Sequence, residues 1–518
     1  MIAARPTVLL CTLNATWQHA AFGLRYLLAN LPEDLQAQTA LVEFTINMRT
    51  LDIVERVLES GAGVVGFGVY IWNVAETERV VAALRRVRPE LRIVLGGPEV
   101  SYECDQQEII RLADAVITGE AEVSLAEVLR TLLAGERPAM KIVPGRLPQP
   151  AELRLPYHLY TDEDLAKRVI YVEASRGCPY TCEFCQSSLD IPVRAFPLEM
   201  LLQAFGDLLA RGARQFKFVD RTFNLNIRVS RAIMEFFLGR WQPGLFLHFE
   251  MIPDRLPADL REVIKRFPAG ALQFEVGVQT FDPDVAVNIS RRNDLVKLEE
   301  NLRFLRTETG VHVHADLIAG LPGETLESFA RGFDRLVAMG PQEIQVGILK
   351  RLRGTPIVRH DATHAMHYAA HPPYEVLETG TMSFAELNAL RRFAKVWDLV
   401  GNSGNFVESM PLLCGPGPFA AVTGLTTLVH TRCGTGDGIA LLRLVEAVFD
   451  FLTTNGVPAA LAAATLWRDY TRAGRSERAP GFLAAHLPEL VKPAGAARFR
   501  SRQERRAAVP AVGEKNRG

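Results

Sequence analysis

Three of the chain's seven cysteines fall within eight residues, in Arg176-Gly177-Cys178-Pro179-Tyr180-Thr181-Cys182-Glu183-Phe184-Cys185. Thiolates this crowded repel one another unless a cation or a cluster neutralises them. A structural zinc site asks for four ligands, often as two separated pairs, and the sequence has no second pair. Ligation of an iron–sulfur cluster by closely spaced cysteines is the stronger physical reading, set against three structural thiols that merely lie near one another. Three protein ligands would leave one iron open, which suits catalysis better than electron transfer alone. Cys11, Cys104, Cys414 and Cys433 stand apart and read as buried thiols.

Two further sets of residues could carry chemistry. Gly66 and Gly68 lie in or beside one apolar run, Gly96-Gly97-Pro98-Glu99 ends the next, and Gly119-Glu120-Ala121-Glu122 ends a third. Glycine after a strand allows positive φ and close approach of a ligand to the backbone. For any one of these sites an ordinary tight turn is the plainer reading; the set together points to a ligand. His360, His364, His367 and His371 follow Thr355-Pro356, a good helix start. On a helix they would share one face, and neutral imidazoles bind metals. No carboxylate or cysteine motif completes a site and Pro372 ends the helix, so a polar face is the favoured reading.

These groups need scaffolds, and 518 residues are enough for two to four domains. Through residue 130, short β-branched runs (Val8–Leu13, Leu41–Ile46, Val64–Tyr70, Ile93–Leu95, Ala115–Ile117) alternate with stretches of helical period. Five such units predict an α/β, doubly wound, Rossmann-like domain over 1–135, with ligands beyond the carboxyl ends of its strands. Prolines 138, 144, 148, 150 and 156 mark a linker over 136–168. Six βα units then predict a partial (β/α)6 barrel over 169–354, its chemistry at the C-terminal strand ends. A helical region follows over 355–490, with helices at Phe384–Val400, Ile439–Thr453 and Ala459–Thr471. Residues 491–518 read as a basic, disordered tail.

Composition narrows the class. Hydrophobic residues at 48% and charged residues at 23% are globular values. Lys+Arg 58 against Asp+Glu 59 gives a net charge of -1, which argues against nucleic acid or anionic lipid as a partner. No apolar run reaches the roughly 18–20 residues of a membrane span. The run Thr7–Cys11 is too short for a signal segment and reads as a buried first strand. The expectation is a cytoplasmic protein.

The spacing Cys178-x3-Cys182-x2-Cys185, with Phe184 before the last cysteine, resembles the radical SAM superfamily. The resemblance implies a [4Fe-4S] cluster on Cys178, Cys182 and Cys185, with S-adenosylmethionine (SAM) on the open iron. One electron would then cleave the sulfonium to methionine and a 5′-deoxyadenosyl radical. It also implies SAM contacts from Asp220 after the second barrel strand and from Glu275 and Gln279 on the fourth, with Glu250 on the third as a further candidate. The segment Asp316-Leu317-Ile318-Ala319-Gly320-Leu321-Pro322-Gly323-Glu324 resembles the fifth-strand glycine segment that packs on adenine, which brings in Gly320, Pro322 and Gly323.

A doubly wound domain ahead of such a barrel resembles the cobalamin-binding subclass, and Thr12-Leu13-Asn14-Ala15, Val219-Asp220-Arg221-Thr222-Phe223-Asn224 and Pro372-Pro373-Tyr374-Glu375-Val376-Leu377 together resemble a branch with a helical C-terminal domain of unknown function. That implies cobalamin across the strand ends, near Gly66, Gly68, Gly96, Gly97, Gly119 and Glu120. The Asp-x-His-x-x-Gly signature of the lower cobalt ligand is missing: around His19, Trp17 replaces the Asp and Phe22 the Gly. Asn14 and His19 in the first βα loop are the candidate lower-face contacts. The function implied is methyl transfer to an unactivated centre of a small-molecule or peptide substrate, fed by an external one-electron reductant such as flavodoxin or ferredoxin. The alternatives are radical rearrangement, cyclisation or oxidation without methyl transfer, and a non-enzymatic cobalamin- or redox-sensing protein.

Overall fold

The computed structural model describes residues 6–434, 438–472 and 478–487; the basic tail expected at 491–518 lies outside them. The chain divides into two compact units. The first runs to Phe249 and takes in Lys350–Arg359 and Tyr368–Glu375; the second holds Glu250–Leu349, His360–His367 and the chain from Val376.

The first unit opens with β1 (Val8–Asn14), β2 (Thr39–Thr45), β3 (Val64–Gly68), β4 (Arg92–Gly96), β5 (Ala115–Thr118) and β6 (Ile142–Pro144), in the order β2-β1-β3-β4-β5-β6. Each neighbouring pair of strands in this sheet is parallel. Side chains alternate with the pleat. Leu9, Cys11, Val65, Phe67, Ile93 and Leu95 pack into one core, and Val8, Leu10, Val64, Val94 and Ile117 into another on the opposite face. Burial on both faces is what a near-continuous apolar strand demands. β6 corrects the sequence reading, because three residues inside the proline-rich stretch join the sheet beside β5. So short a run, ending in Pro144, carries almost no periodic signal.

A second sheet follows, with β7 (Ile170–Val172), β10 (Gln215–Phe218), β11 (Phe246–Met251), β12 (Leu272–Gln279), β13 (His312–Ala319) and β14 (Glu343–Ile348) in sequence order. It is open, because β7 and β14 are its edges. Between β7 and β10, β8 (Ser175–Arg176) and β9 (Arg194–Ala195) pair antiparallel and close the cysteine segment into a loop.

The C-terminal region is helical, as expected. Pro418–Cys433, a helix the sequence reading lacked, joins Phe384–Trp397, Leu441–Thr454 and Ala459–Arg472 around Val429, Val448, Leu466 and Trp467. The histidine series is not one helical face. A 3-10 turn covers Pro356–His360, Ala365 has φ 45°, and His367 lies in a short strand. The His360 and His364 rings are neighbours, with centroids 5.4 Å apart. Among the described residues, no helix is long and apolar enough to cross a membrane.

Candidate functional site

The first unit holds a cavity of about 480 Å³ at the carboxyl ends of β3, β4 and β5. On β3 the face bearing Val64 continues as Gly66 and Gly68, so the pleat leaves a trough where two side chains would stand. A Cβ on Gly66 would lie 2.8 Å from Leu10 Cδ2, and one on Gly68 3.4 Å from Thr12 Oγ1. Gly97 turns the chain at φ 109°, with room for no Cβ beside the Val69 carbonyl at 2.5 Å. Gly96, Gly119 and Glu120 complete the rim expected from sequence.

Two expected residues lie elsewhere. Asn14 and His19 do not line this cavity. Asn14 donates to Glu43 at 2.8 Å, beside a buried cluster in which Arg25 and Arg168 share Glu43 and Asp164. The exposed His19 ring is hydrogen-bonded through Nδ1 to the Tyr171 hydroxyl at 2.6 Å. Burial, then Lys217 and Arg168, hold its pKa below the ordinary histidine value.

The cysteine loop reaches the same cavity. Ser175, Arg176, Gly177, Ser187 and Asp190 line it together with the glycine turns. Gly177 has φ 87°, and a Cβ there would come within 2.7 Å of the Asp190 carbonyl. That carbonyl accepts from the Cys178 amide at 3.0 Å, and the Cys185 amide donates to the Cys182 carbonyl at 3.1 Å. Cys178 and Cys182 are buried, while Cys185 and Phe184 are partly exposed. Burial pushes the Cys178 thiol up and the fields of Cys185 and Cys182 add to this; the Tyr180 amide and Arg221 oppose it. Three soft donors on one closed loop fit a cluster whose charge would favour the thiolates. Among the described residues, no three His, Cys, Asp or Glu side chains surround a single metal ion. A cluster that gives each thiolate its own iron asks for a wider spacing.

Arg176, which the sequence reading left without a role, joins the two halves of this rim. It donates to Glu120 and Glu122 at 2.7 Å and to Glu173 at 3.0 Å, with its guanidinium 4.5 Å from the Tyr26 ring centroid. Arg194 pairs with Glu120 and Asp190. Glu120 is therefore engaged by two arginines. Asp220, expected near the amino group of SAM, accepts from the Ala174 amide at 2.8 Å and the Ser175 hydroxyl at 2.6 Å. It pins the approach to the cysteine loop.

In the second unit, pleat alternation sorts the expected residues. Phe274, Val276 and Val278 are buried on one face of β12, and the partly exposed Glu275, Gly277 and Gln279 occupy the other. Gln279 has φ 72° at a register shift against β13, an uncommon conformation for a residue with a side chain. Beyond β13, Gly320 and Gly323 both have φ 83°. The buried Glu324 accepts from the Gly320 amide at 3.2 Å and the Thr280 hydroxyl at 3.4 Å, which ties this turn to the end of β12. The Pro322 carbonyl accepts from Asn288 at 2.9 Å.

Known proteins share this organisation. Residues 10–129 match the B12 binding domain family and residues 172–336 the radical SAM superfamily. The chain thus carries a B12 binding domain followed by a radical SAM domain. Residues 362–517 match a protein family of unknown function, DUF4080. The chain is 26% identical over 330 residues to 2-(S-pantetheinyl)-carbapenam-3-carboxylate methyltransferase of Streptantibioticus cattleyicolor, covering 56% of this chain and 48% of that protein. It is 25% identical over 323 residues to the cobalamin-dependent radical SAM methyltransferase TokK of Streptomyces tokunonensis, covering 55% and 47%. The chain thus spans about half the length of these curated relatives. Among solved structures, the cobalamin-dependent S-adenosylmethionine radical enzyme OxsB matches with a TM-score of 0.60 at 13% identity, over 90% of this chain and 78% of that one. The radical S-adenosylmethionine methyltransferase TsrM from Kitasatospora setae matches at 0.56 and 18% identity, over 70% and 81%. At such identities the likeness is one of fold.

Proposed function

We propose that this chain is a cobalamin-dependent radical SAM enzyme that transfers a methyl group to an unactivated centre of a small-molecule or peptide substrate. The observation that carries the reading is the shared cavity. One wall is the glycine turns of the first sheet, and the other is the residues that flank the cysteine triad. Bound there, cobalamin, a [4Fe-4S] cluster and SAM supply one-electron cleavage of a sulfonium and a transferable methyl group.

In this reading Cys178, Cys182 and Cys185 hold the cluster, and Phe184 packs beside it. Gly66, Gly68, Gly96, Gly97 and Gly119 let cobalamin approach the backbone, while Glu120 fixes the rim through its arginines. Glu275, Gln279 and the turn Gly320-Leu321-Pro322-Gly323 orient SAM, and Glu324 keeps that turn against Thr280. Asp220 acts through Ala174 and Ser175. His19 and Asn14 drop out as cobalt contacts, since both have other partners and lie outside the cavity. The cobalamin domain extends to residue 144, the barrel covers 169–354, and the helical domain follows. An external one-electron reductant such as flavodoxin or ferredoxin serves the site, in the cytoplasm.

Anaerobic reconstitution with iron, sulfide, hydroxocobalamin and methyl-labelled SAM, with dithionite or reduced flavodoxin as the electron source, tests this. Wild-type protein is expected to form 5′-deoxyadenosine and S-adenosylhomocysteine, and the Cys178→Ala/Cys182→Ala/Cys185→Ala chain to form no 5′-deoxyadenosine. Survival of 5′-deoxyadenosine in that variant refutes the cluster ligands. Label that stays in methionine when a product forms refutes methyl transfer and favours rearrangement, cyclisation or oxidation.

A further inference from the structure

The segment Lys350–Arg359 packs in the first unit although the residues on either side of it in sequence belong to the second. Arg353 is its centre. Its Nε donates to Glu99 at 2.8 Å, Nη1 to Glu103 at 3.1 Å and Nη2 to the Tyr374 hydroxyl at 2.9 Å. Tyr374 in turn donates to Glu99 at 2.9 Å. Glu99 is 2% exposed and directly follows Gly96-Gly97-Pro98, which line the cavity. A carboxylate so buried persists as an anion only with such partners.

The other side of the same segment holds the cysteine loop. The Arg353 carbonyl accepts from Gln186 Nε2 at 2.9 Å, and Gln186 directly follows Cys185. The Ile357 amide donates to the Glu183 carbonyl at 3.0 Å, and Arg359 pairs with the Glu183 carboxylate. Between these anchors Gly354 has φ 77° and passes so close to Tyr102 that a Cβ would sit 2.4 Å from the ring. One residue therefore grips the rim of the glycine-lined cavity with its side chain and the cysteine loop with its backbone.

We infer that Arg353 is a positioning residue that, through Glu99 and Gln186, sets the separation and orientation of the cysteine loop relative to the cavity. This rests on the proposed cluster and cobalamin sites. It adds a residue beyond the barrel strands whose task is geometric: a planar fork holds an angle that a flexible ammonium does not.

The test compares wild type with Arg353→Gln, Arg353→Lys and Glu99→Gln, each reconstituted anaerobically with iron and sulfide, titrated with hydroxocobalamin, and then reduced with titanium(III) citrate before SAM is added. Iron per chain and the absorbance titration report occupancy. EPR broadening of cob(II)alamin by the reduced cluster reports their spacing and orientation. Arg353→Gln and Glu99→Gln are expected to keep iron and bind cobalamin, yet to show altered broadening. SAM-dependent methylation of cob(I)alamin should fall about 100-fold, the scale of a misplacement near 1 Å, with Arg353→Lys in between. If Arg353→Gln loses iron, Glu99→Gln carries the test, because it alters no atom that touches the cysteine loop. Wild-type broadening and methylation in Glu99→Gln overturn the inference. A wild-type chain that takes up neither iron nor cobalamin overturns the proposed function and this inference with it.

Discussion

Asp220 shows how a single buried side chain is held beside the cysteine loop, by the Ala174 amide and the Ser175 hydroxyl. Burial drives its carboxyl from 3.8 up to about 7, against the pull of Ser175 and the Ala174 amide. The fold thus favours the protonated acid. That contribution is whole below the unfolded carboxyl pKa and fades as pH rises through about 7. Wild type should lose roughly 1 kcal/mol of stability between pH 6 and pH 8, whereas Asp220→Asn should show a flatter profile in denaturant titrations. An equal slope in both chains removes Asp220 as the source. At this scale the sequence is uneven. The cysteine triad is legible because its members are neighbours in the chain and few other chemistries tolerate three thiolates so close. Arg176 and Arg353 are not, because the glutamates of the glycine turns that they hold, Glu120 and Glu99, are more than fifty and more than two hundred positions away. Trp17 and Phe22 already weakened the case for His19, and the Tyr171 hydroxyl gives that ring another partner.

At the scale of elements, two short pieces of backbone decide whether the site closes. The ribbon of β8 and β9 shuts the cysteine loop with only two residue pairs, and Gly177 follows it at a conformation that side chains avoid. Gly177→Ala adds strain of about 1–3 kcal/mol and presses on the Asp190 carbonyl. It should lower iron per chain after reconstitution while far-UV circular dichroism stays that of wild type. On β3, Gly66→Val would fill the trough over Leu10. Hydroxocobalamin affinity should fall at least about tenfold, or 1.4 kcal/mol, by absorbance titration; unchanged affinity would place the ligand elsewhere. The strands that carry these glycines were readable because buried parallel strands are apolar throughout and evenly separated by helices. β6 was not, since a three-residue strand has no period to detect. The histidine series misled for a related reason: its spacing matches a helical face, but the chain there turns too often to build one.

For the molecule as a whole, a ligand that binds only the folded first unit must stabilise it. Hydroxocobalamin at a hundred times its dissociation constant should add about 2.7 kcal/mol, visible as a rise in the unfolding temperature that the Gly66→Val chain lacks. The excursion of Lys350–Arg359 and Tyr368–Glu375 into the first unit also governs how the protein can be dissected. An expressed fragment that stops at Phe249 would leave Glu99 buried without its guanidinium and Glu183 without Arg359. Poor yield or an empty corrinoid cleft in such a truncation would report the amputated counterion, and only the intact polypeptide can be asked what it binds.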